Sequence, residues 1–104
     1  MTGRVILPTQ FCNTAGTVGV AVALTIVDKC VLHNISALPV AVTTHIIPTG
    51  NLPGSTNQLA SVTLAAGATY HCPELVGAWL SPGDAIGVIA GTATAVTIYA
   101  GGRQ

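Results

Sequence analysis

Charged residues are scarce in this chain, which has three basic and three acidic residues among 104. A globular domain usually carries about 25% charged residues. It also keeps its net charge away from zero, which holds copies apart in solution. Here the formal net charge is zero and half of the residues are hydrophobic. The composition therefore predicts a domain that works docked against other protein.

The same scarcity bears on two other classes of partner. Phosphate binding needs clustered Lys and Arg, and the three basic residues are widely spaced along the sequence, so no nucleic-acid partner is expected. The longest apolar run, residues 15–27, is broken by Thr and Gly well short of the roughly 20 residues of a spanning helix. It also lacks the basic region and A-x-A site of a signal peptide. We expect buried strands there and no membrane partner.

Aromatic residues and the usual helix formers are also scarce. One Trp, one Phe and two Tyr stand against 15 Ala, 12 Val and 14 Thr, with 12 Gly and 6 Pro. Val and Thr favour strands, and Gly and Pro mark turns. The length predicts one domain, residues 1–104, in which residues 1–13 are a candidate extended N-terminal arm.

Hydrophobic residues alternate with a period of two along most of the chain. Turn formers separate seven or eight short strands, a pattern typical of an antiparallel β-sandwich. We predict an all-β, jelly-roll-like fold. Asp28 and Lys29 within the longest strand candidate, residues 24–35, indicate a bulge or an exposed edge.

Three further local predictions concern the second half of the chain. Residues 73–78 are the only weak helix candidate, of one turn at most. Residues 85–90 and 95–99 predict a closing hairpin through the turn formers at 91–94. Gly101 and Gly102 predict a flexible end.

Three cysteines without a C-x-x-C spacing, Cys12, Cys30 and Cys72, do not form a disulfide framework. Free buried thiols are the favoured interpretation, and one pair with a leftover thiol is the alternative. A metal site from these cysteines and His33 would need tertiary convergence. His71 and Cys72 point to opposite faces of a strand. We expect no metal and no cofactor.

No motif for catalysis is present. Hydrolysis needs a nucleophile, a base and an orienting acid within reach of one another, and the acids are only Asp28, Glu74 and Asp84. Asp84 follows Pro82 and Gly83 and is predicted to shape a turn. We expect no catalytic residue and no enzymatic activity.

Candidate partner contacts are few. Leu52 lies within the polar loop 48–57, and Arg4 and Arg103 lie near the two ends, where loops and termini on a rigid scaffold carry function. Trp79, flanked by Ala78 and Leu80, is interpreted first as a core residue. Its alternatives are an interface anchor and a sugar-stacking ring.

The order of several segments resembles a known group of proteins. HNIS (33–36) precedes AVTTHIIPTG (41–50), LASVTLAAGATY (59–70) and WLSPGDAIGVIAGTATAVTIYAGG (79–102). This is similar to small β-sandwich virion proteins of tailed bacteriophages, in which LAAG-x-T and L-x-x-GD-x-I patterns recur. The likeness covers about residues 14–102 and rests on turns and strands rather than on catalytic residues.

The resemblance implies a virion protein assembled in the host cytoplasm, of the capsid decoration or cement type. Its implied partners are the major capsid protein and further copies of itself, as a homotrimer. One alternative is a low-copy head-fibre, collar or tail component. A second, from another class, is a carbohydrate-binding adhesion module.

Overall fold

The computed structural model describes residues 3–104, which form two antiparallel β-sheets packed face to face. Seven of the nine strands in this range have four residues or more, and two have only two residues each. In chain order the strands are β1 (Gly3–Phe11), β2 (Thr17–Val20), β3 (Thr25–Asn34), β4 (Val40–Ile47), β5 (Gln58–Leu64), β6 (Thr69–Tyr70), β7 (Trp79–Leu80), β8 (Ala85–Ala90) and β9 (Val96–Arg103).

Helix is absent from residues 3–104, which confirms the all-β prediction. The weak helix candidate at residues 73–78 is a tight turn, in which the Cys72 carbonyl accepts hydrogen bonds from the amides of Leu75 and Val76. None of the described residues belongs to a helix long and apolar enough to cross a membrane.

The strand order is that of a jelly roll. The first sheet runs β1-β9-β3-β6, with β7 also paired to β3, and the second runs β2-β8-β4-β5. The chain therefore passes between the sheets after most strands, and among the described strands only β4 and β5 are both consecutive and hydrogen-bonded. Two antiparallel sheets interleaved in this way are typical of a jelly roll, so the predicted sandwich is confirmed.

The predicted closing hairpin is wrong. β8 pairs with β2 and β4 in the second sheet, whereas β9 pairs with β1 and β3 in the first. Residues 91–95 connect the two sheets instead of turning within one. Both strands lie in the interior of their sheets. Each has a neighbouring strand on both sides, so more of its backbone N–H and C=O groups are hydrogen-bonded than in a terminal hairpin.

Both ends of the described chain belong to the sandwich. Gly3 pairs with Arg103 at the start of β1, so residues 3–11 form a sheet edge rather than an extended arm. Gly101 and Gly102 are buried within β9, so the prediction of a flexible end is also wrong. A Cβ on Gly102 would lie 2.5 Å from the Ile26 carbonyl oxygen, and β9 can pack this closely only because the residue is glycine.

Two irregularities face each other across β9. The register of β3 shifts between Val27 and Lys29, which confirms the bulge predicted at Asp28 and Lys29. The register of β1 shifts between Val5 and Leu7. Each extra residue reverses the alternation of its strand. Consequently two consecutive side chains of β3 point to solvent, whereas two of β1, Ile6 and Leu7, point into the core.

The core lies between the sheets and is built of aliphatic side chains. One buried polar residue, Asn34, stabilises an end of it. Its side-chain amide donates to the Leu38 carbonyl at 2.8 Å and to the Leu64 carbonyl at 3.0 Å, and its oxygen accepts from the Ser36 amide at 2.9 Å. The largest fully buried side chains are Leu32, Leu75, Leu80, Ile86 and Ile98.

Candidate interaction face

Trp79 is on the surface, where the residue is 68% exposed, so its interpretation as a core residue is wrong. It lies on β7, a two-residue strand whose other member, Leu80, is fully buried. Successive side chains of a strand point to opposite faces. Because Leu80 fills the core position, Trp79 must point outward, which leaves the anchor and sugar-stacking alternatives open.

Arg103 lies on the same outer face as Trp79. Both residues are register partners of Ile26, Trp79 through β7 and Arg103 through β9. Neighbouring strands are about 4.8 Å apart. The backbones of Trp79 and Arg103 are therefore about 10 Å apart. The Arg103 guanidinium donates a hydrogen bond to the Asp28 carboxylate in an exposed ion pair.

Arg4, the third predicted contact residue, lines an open groove on the first sheet. The groove has a volume of about 420 Å³ and is bordered by Asp28 and Lys29 of the β3 bulge and by Tyr99 of β9. Its remaining lining comes from Gly3, Val5, Gly101 and Gly102. Arg4 itself pairs with Gly102, whose partner on β3 is the fully buried Val27. Its side chain therefore starts from the inner side of the sheet, and only Arg103 and Trp79 share the outer face.

Leu52 is elsewhere. It is 82% exposed on the loop between β4 and β5. This loop packs on the outer face of the second sheet. Gly87 of β8 lies on that face, and a Cβ built on it would be 3.6 Å from the Pro53 side chain. The Asn57 side chain holds the loop by donating to the Leu52 carbonyl at 2.9 Å and by bonding to His45 Nδ1 at 2.9 Å. Leu52 and the other three residues therefore belong to different surfaces.

Sequence reasoning did not include Asp28, Lys29 and Tyr99 among the contact residues. The first two carried a usable signal, because adjacent opposite charges within an apolar strand already indicated a bulge. Tyr99 is half-buried. Its ring lies beside Gly101, and its hydroxyl oxygen is 3.3 Å from where a Cβ on that glycine would be. No local sequence pattern indicates this contact between Tyr99 and Gly101.

The acidic residues outside the groove have structural partners. Glu74 accepts a hydrogen bond from Thr44 of the second sheet at 2.6 Å and one from Tyr70 of the first sheet. The hydrogen bond to Glu74, with burial and the carboxylate charge, raises the pKa of Tyr70 to about 12. Asp84 accepts from the amides of Thr49 and Ser81, which confirms its predicted role in shaping a turn.

The three cysteines are buried free thiols, as the favoured interpretation predicted. Burial, with a contribution from Cys30, raises the pKa of Cys12 to about 12. A hydrogen bond with Cys30 and burial raise the pKa of Cys72 above its ordinary value of 9.0. His33 bonds to the Thr69 hydroxyl on the outer face at 2.9 Å. Within residues 3–104, no three Cys, His, Asp or Glu side chains are grouped to hold a metal ion.

Comparison of the chain with protein-family models, with curated proteins and with solved structures finds no match. The interaction face is therefore interpreted from its own geometry.

Proposed function

We propose that this chain is a structural virion protein of a tailed bacteriophage, a decoration or cement protein that binds and stabilises the assembled major-capsid lattice. The sequence resemblance supports the virion location. The jelly-roll fold is compatible with it, because viral capsid domains are among the proteins built this way.

The observation that carries a docking role is the apolar character of the exposed surface. Twelve large hydrophobic side chains are exposed in residues 3–104, on a chain with only six charged residues. Trp79, one of the residue types enriched at binding hot spots, is among the most exposed of them. Little charge would have to be desolvated when such a surface is covered.

The bound protein would stabilise the assembled capsid lattice by mass action. A protein that binds only the assembled lattice lowers the free energy of that state by an amount set by its concentration and affinity. Many copies on a symmetric lattice would act together, so that each contact could be modest. Trimerisation of the chain is part of the proposal, because a trimer can match a three-fold position of a lattice.

The test is the copy number of the chain in purified virions, measured by quantitative mass spectrometry. Hundreds of copies per particle would support decoration of the lattice. A handful to a few dozen would assign the chain to the vertices, collar or tail, and none would overturn the virion proposal. Sedimentation of the purified chain tests the trimer, and a purely monomeric protein at all concentrations would contradict it.

One observation favours a carbohydrate-binding module as a second candidate. Sugar sites combine an exposed aromatic ring with acidic or amide side chains, and Trp79 lies near Asp28 on the face described above. Thermal-shift measurements with a panel of glycans test this candidate. A glycan that raises the melting temperature of the native chain but not of Trp79→Ala would support it over the scaffold role.

A further inference from the structure

Cys30 and Cys72 lie opposite each other in the core, although they are far apart in the sequence. β3 pairs antiparallel with β6, and Leu32 is the register partner of Tyr70. Continued by two residues on each side, this register places Cys30 opposite Cys72. Residues two apart on a strand share a face, and both cysteines are buried within the hydrophobic core. Their thiols are close enough for a hydrogen bond.

This placement matches the geometry of a disulfide. Residues directly opposite each other on antiparallel strands have Cα atoms about 4.5–5.5 Å apart. Disulfides join cysteines whose Cα atoms are about 4.4–6.8 Å apart. A bond between Cys30 and Cys72 therefore requires no separation or displacement of the strands that carry them.

The backbone at Cys72 is unusual. β6 ends at Tyr70, and at Cys72 the chain turns with a φ of 46°, in the left-handed region. Residues other than glycine adopt this conformation rarely, and only where the surrounding structure holds them in it. A glycine would suit the turn better. The backbone alone therefore does not account for a cysteine here, whereas the contact of its thiol with Cys30 does.

Cys12 is an internal comparison, because it is equally buried but placed elsewhere. Its amide donates a hydrogen bond to the Val96 carbonyl of β9, whereas Cys30 is the register partner of Ala100 on the same strand. The four residues from Val96 to Ala100 span about 13 Å along a strand. Cysteines with Cα atoms more than about 7 Å apart cannot be bridged without backbone movement. Cys72 lies beyond β3 from β9, so it is no closer to Cys12.

We propose that Cys30 and Cys72 form a disulfide when the chain folds in the presence of a small disulfide such as oxidised glutathione, and that Cys12 remains a thiol. One cysteine thiolate attacks oxidised glutathione, which forms a mixed disulfide and releases one reduced glutathione. The other cysteine then attacks the protein sulfur of the mixed disulfide and releases the second. The two protein thiols thus lose two electrons to glutathione, and their protons pass to the two released thiols.

The reaction takes place during folding, because the native core excludes glutathione from both thiols. In a reducing cytoplasm the two thiols persist. The bond closes a loop of roughly 40 residues, which restricts the unfolded chain and so stabilises the fold. This loop contains β4 and β5, so the bond fixes the path by which the chain leaves the first sheet and returns to it. The inference does not depend on the proposed docking function.

The test uses the intact chain, unfolded in urea, reduced, and refolded at low concentration with reduced and oxidised glutathione. Remaining thiols are alkylated, and the chain is digested with trypsin without further reduction. Cleavage after Lys29 leaves Cys12 in one fragment and both Cys30 and Cys72 in the next. The proposed disulfide is then internal to a single fragment, whereas any intramolecular disulfide of Cys12 joins two fragments. Mass spectrometry distinguishes the two results.

We expect the fragment that begins at Cys30 to lack two hydrogen atoms and Cys12 to be alkylated. The oxidised chain should melt at least about 10 °C above the reduced chain. Cys12→Ala, the matched control, should keep both the bond and the rise in melting temperature, whereas Cys72→Ser should lose both.

Three results would overturn the inference. They are a disulfide that joins the two fragments, no disulfide at any ratio of oxidised to reduced glutathione, and a disulfide that lowers the melting temperature. The first would mean that Cys12 is the favoured partner, and the third would mean that the native positions of Cys30 and Cys72 do not fit the bond. All three are measured on the native sequence, so the test does not depend on whether Cys72→Ser folds.

Discussion

Trp79 and Arg103 are held on the two sides of Ile26 by strands that arrive from different parts of the chain. β7 contributes an exposed aromatic ring, and β9 contributes a cation that is paired with Asp28. An apolar anchor and a polar neighbour at this spacing are typical components of protein interfaces. Trp79 and Arg103 are therefore expected to contribute to binding, whereas their buried neighbours contribute to stability.

Trp79→Ala should change the free energy of unfolding by less than about 0.5 kcal/mol, because the ring is exposed. Its neighbour Leu80 is fully buried, and Leu80→Ala should cost about 2–5 kcal/mol. Urea denaturation of both variants measures the contrast. Binding to purified particles should instead weaken in Trp79→Ala, and a large loss of stability in that variant would show that the ring contributes to folding.

Gly102→Ala should destabilise the fold by about 1–3 kcal/mol, the usual cost of overpacking. The added Cβ would be 2.5 Å from the backbone oxygen of Ile26, which cannot move without displacing β3 from β9. Gly3→Ala is the matched control, since its Cβ would have no heavy atom closer than 4.0 Å. Thermal unfolding of the two variants tests the pairing of β9, and equal melting temperatures would contradict it.

Glu74→Gln should lower the pKa of Tyr70 from about 12 towards its ordinary value, because the acceptor of its hydrogen bond loses its charge. Ultraviolet absorbance of the phenolate during an alkaline titration measures this, and Tyr70→Phe identifies the Tyr70 transition. The variant should also lose about 1–3 kcal/mol of stability, since a carboxylate acceptor shared by both sheets is replaced. An unchanged titration curve would mean that Glu74 does not control this phenol.

Stability should fall in alkaline solution. The pKa of Cys12 is raised from 9.0 to about 12 in the folded state, and that of Cys72 is raised as well. A group whose pKa is higher in the folded state contributes stability that is complete below its unfolded pKa and is lost as the pH rises towards the folded value. The urea midpoint should therefore be lower at about pH 10 than at about pH 8.

Cys12→Ala supplies the control for this loss, since it removes one of the raised thiols and should flatten the pH dependence. In native buffer the three thiols should also resist thiol reagents and react only after unfolding, because they are buried. An equal midpoint at both pH values, or rapid labelling of the native chain, would contradict the prediction.

Local patterns predicted much of this fold. The period of two identified the strands, and the charged pair Asp28 and Lys29 identified the bulge, because both signals arise from the face to which a side chain points. The failed hairpin between β8 and β9 has a different cause. Turn formers indicate that the chain changes direction, but they do not indicate whether the flanking strands pair with each other or join separate sheets.

The candidate site was less predictable for the same reason. Trp79 was misplaced because its apolar neighbours Ala78 and Leu80 suggested burial, whereas a two-residue strand gives only one of its side chains a core position. The meeting of Asp28 and Arg103 beside residues of β1 depends on the pairing of β1 and β3 with β9. Such pairing joins residues from the two ends of the sequence and leaves no trace in local spacing.

The position of β9 also governs when this chain can fold. β9 lies between β1 and β3, so the first and third strands lack their shared partner until the last strand has been synthesised. Almost every strand pair must close a long loop, which makes folding slow compared with proteins built from local contacts. During translation the unpaired edges of β1 and β3 are exposed to other nascent chains. Folding yield should therefore depend on synthesis rate and on chaperones more than the modest size of the domain suggests.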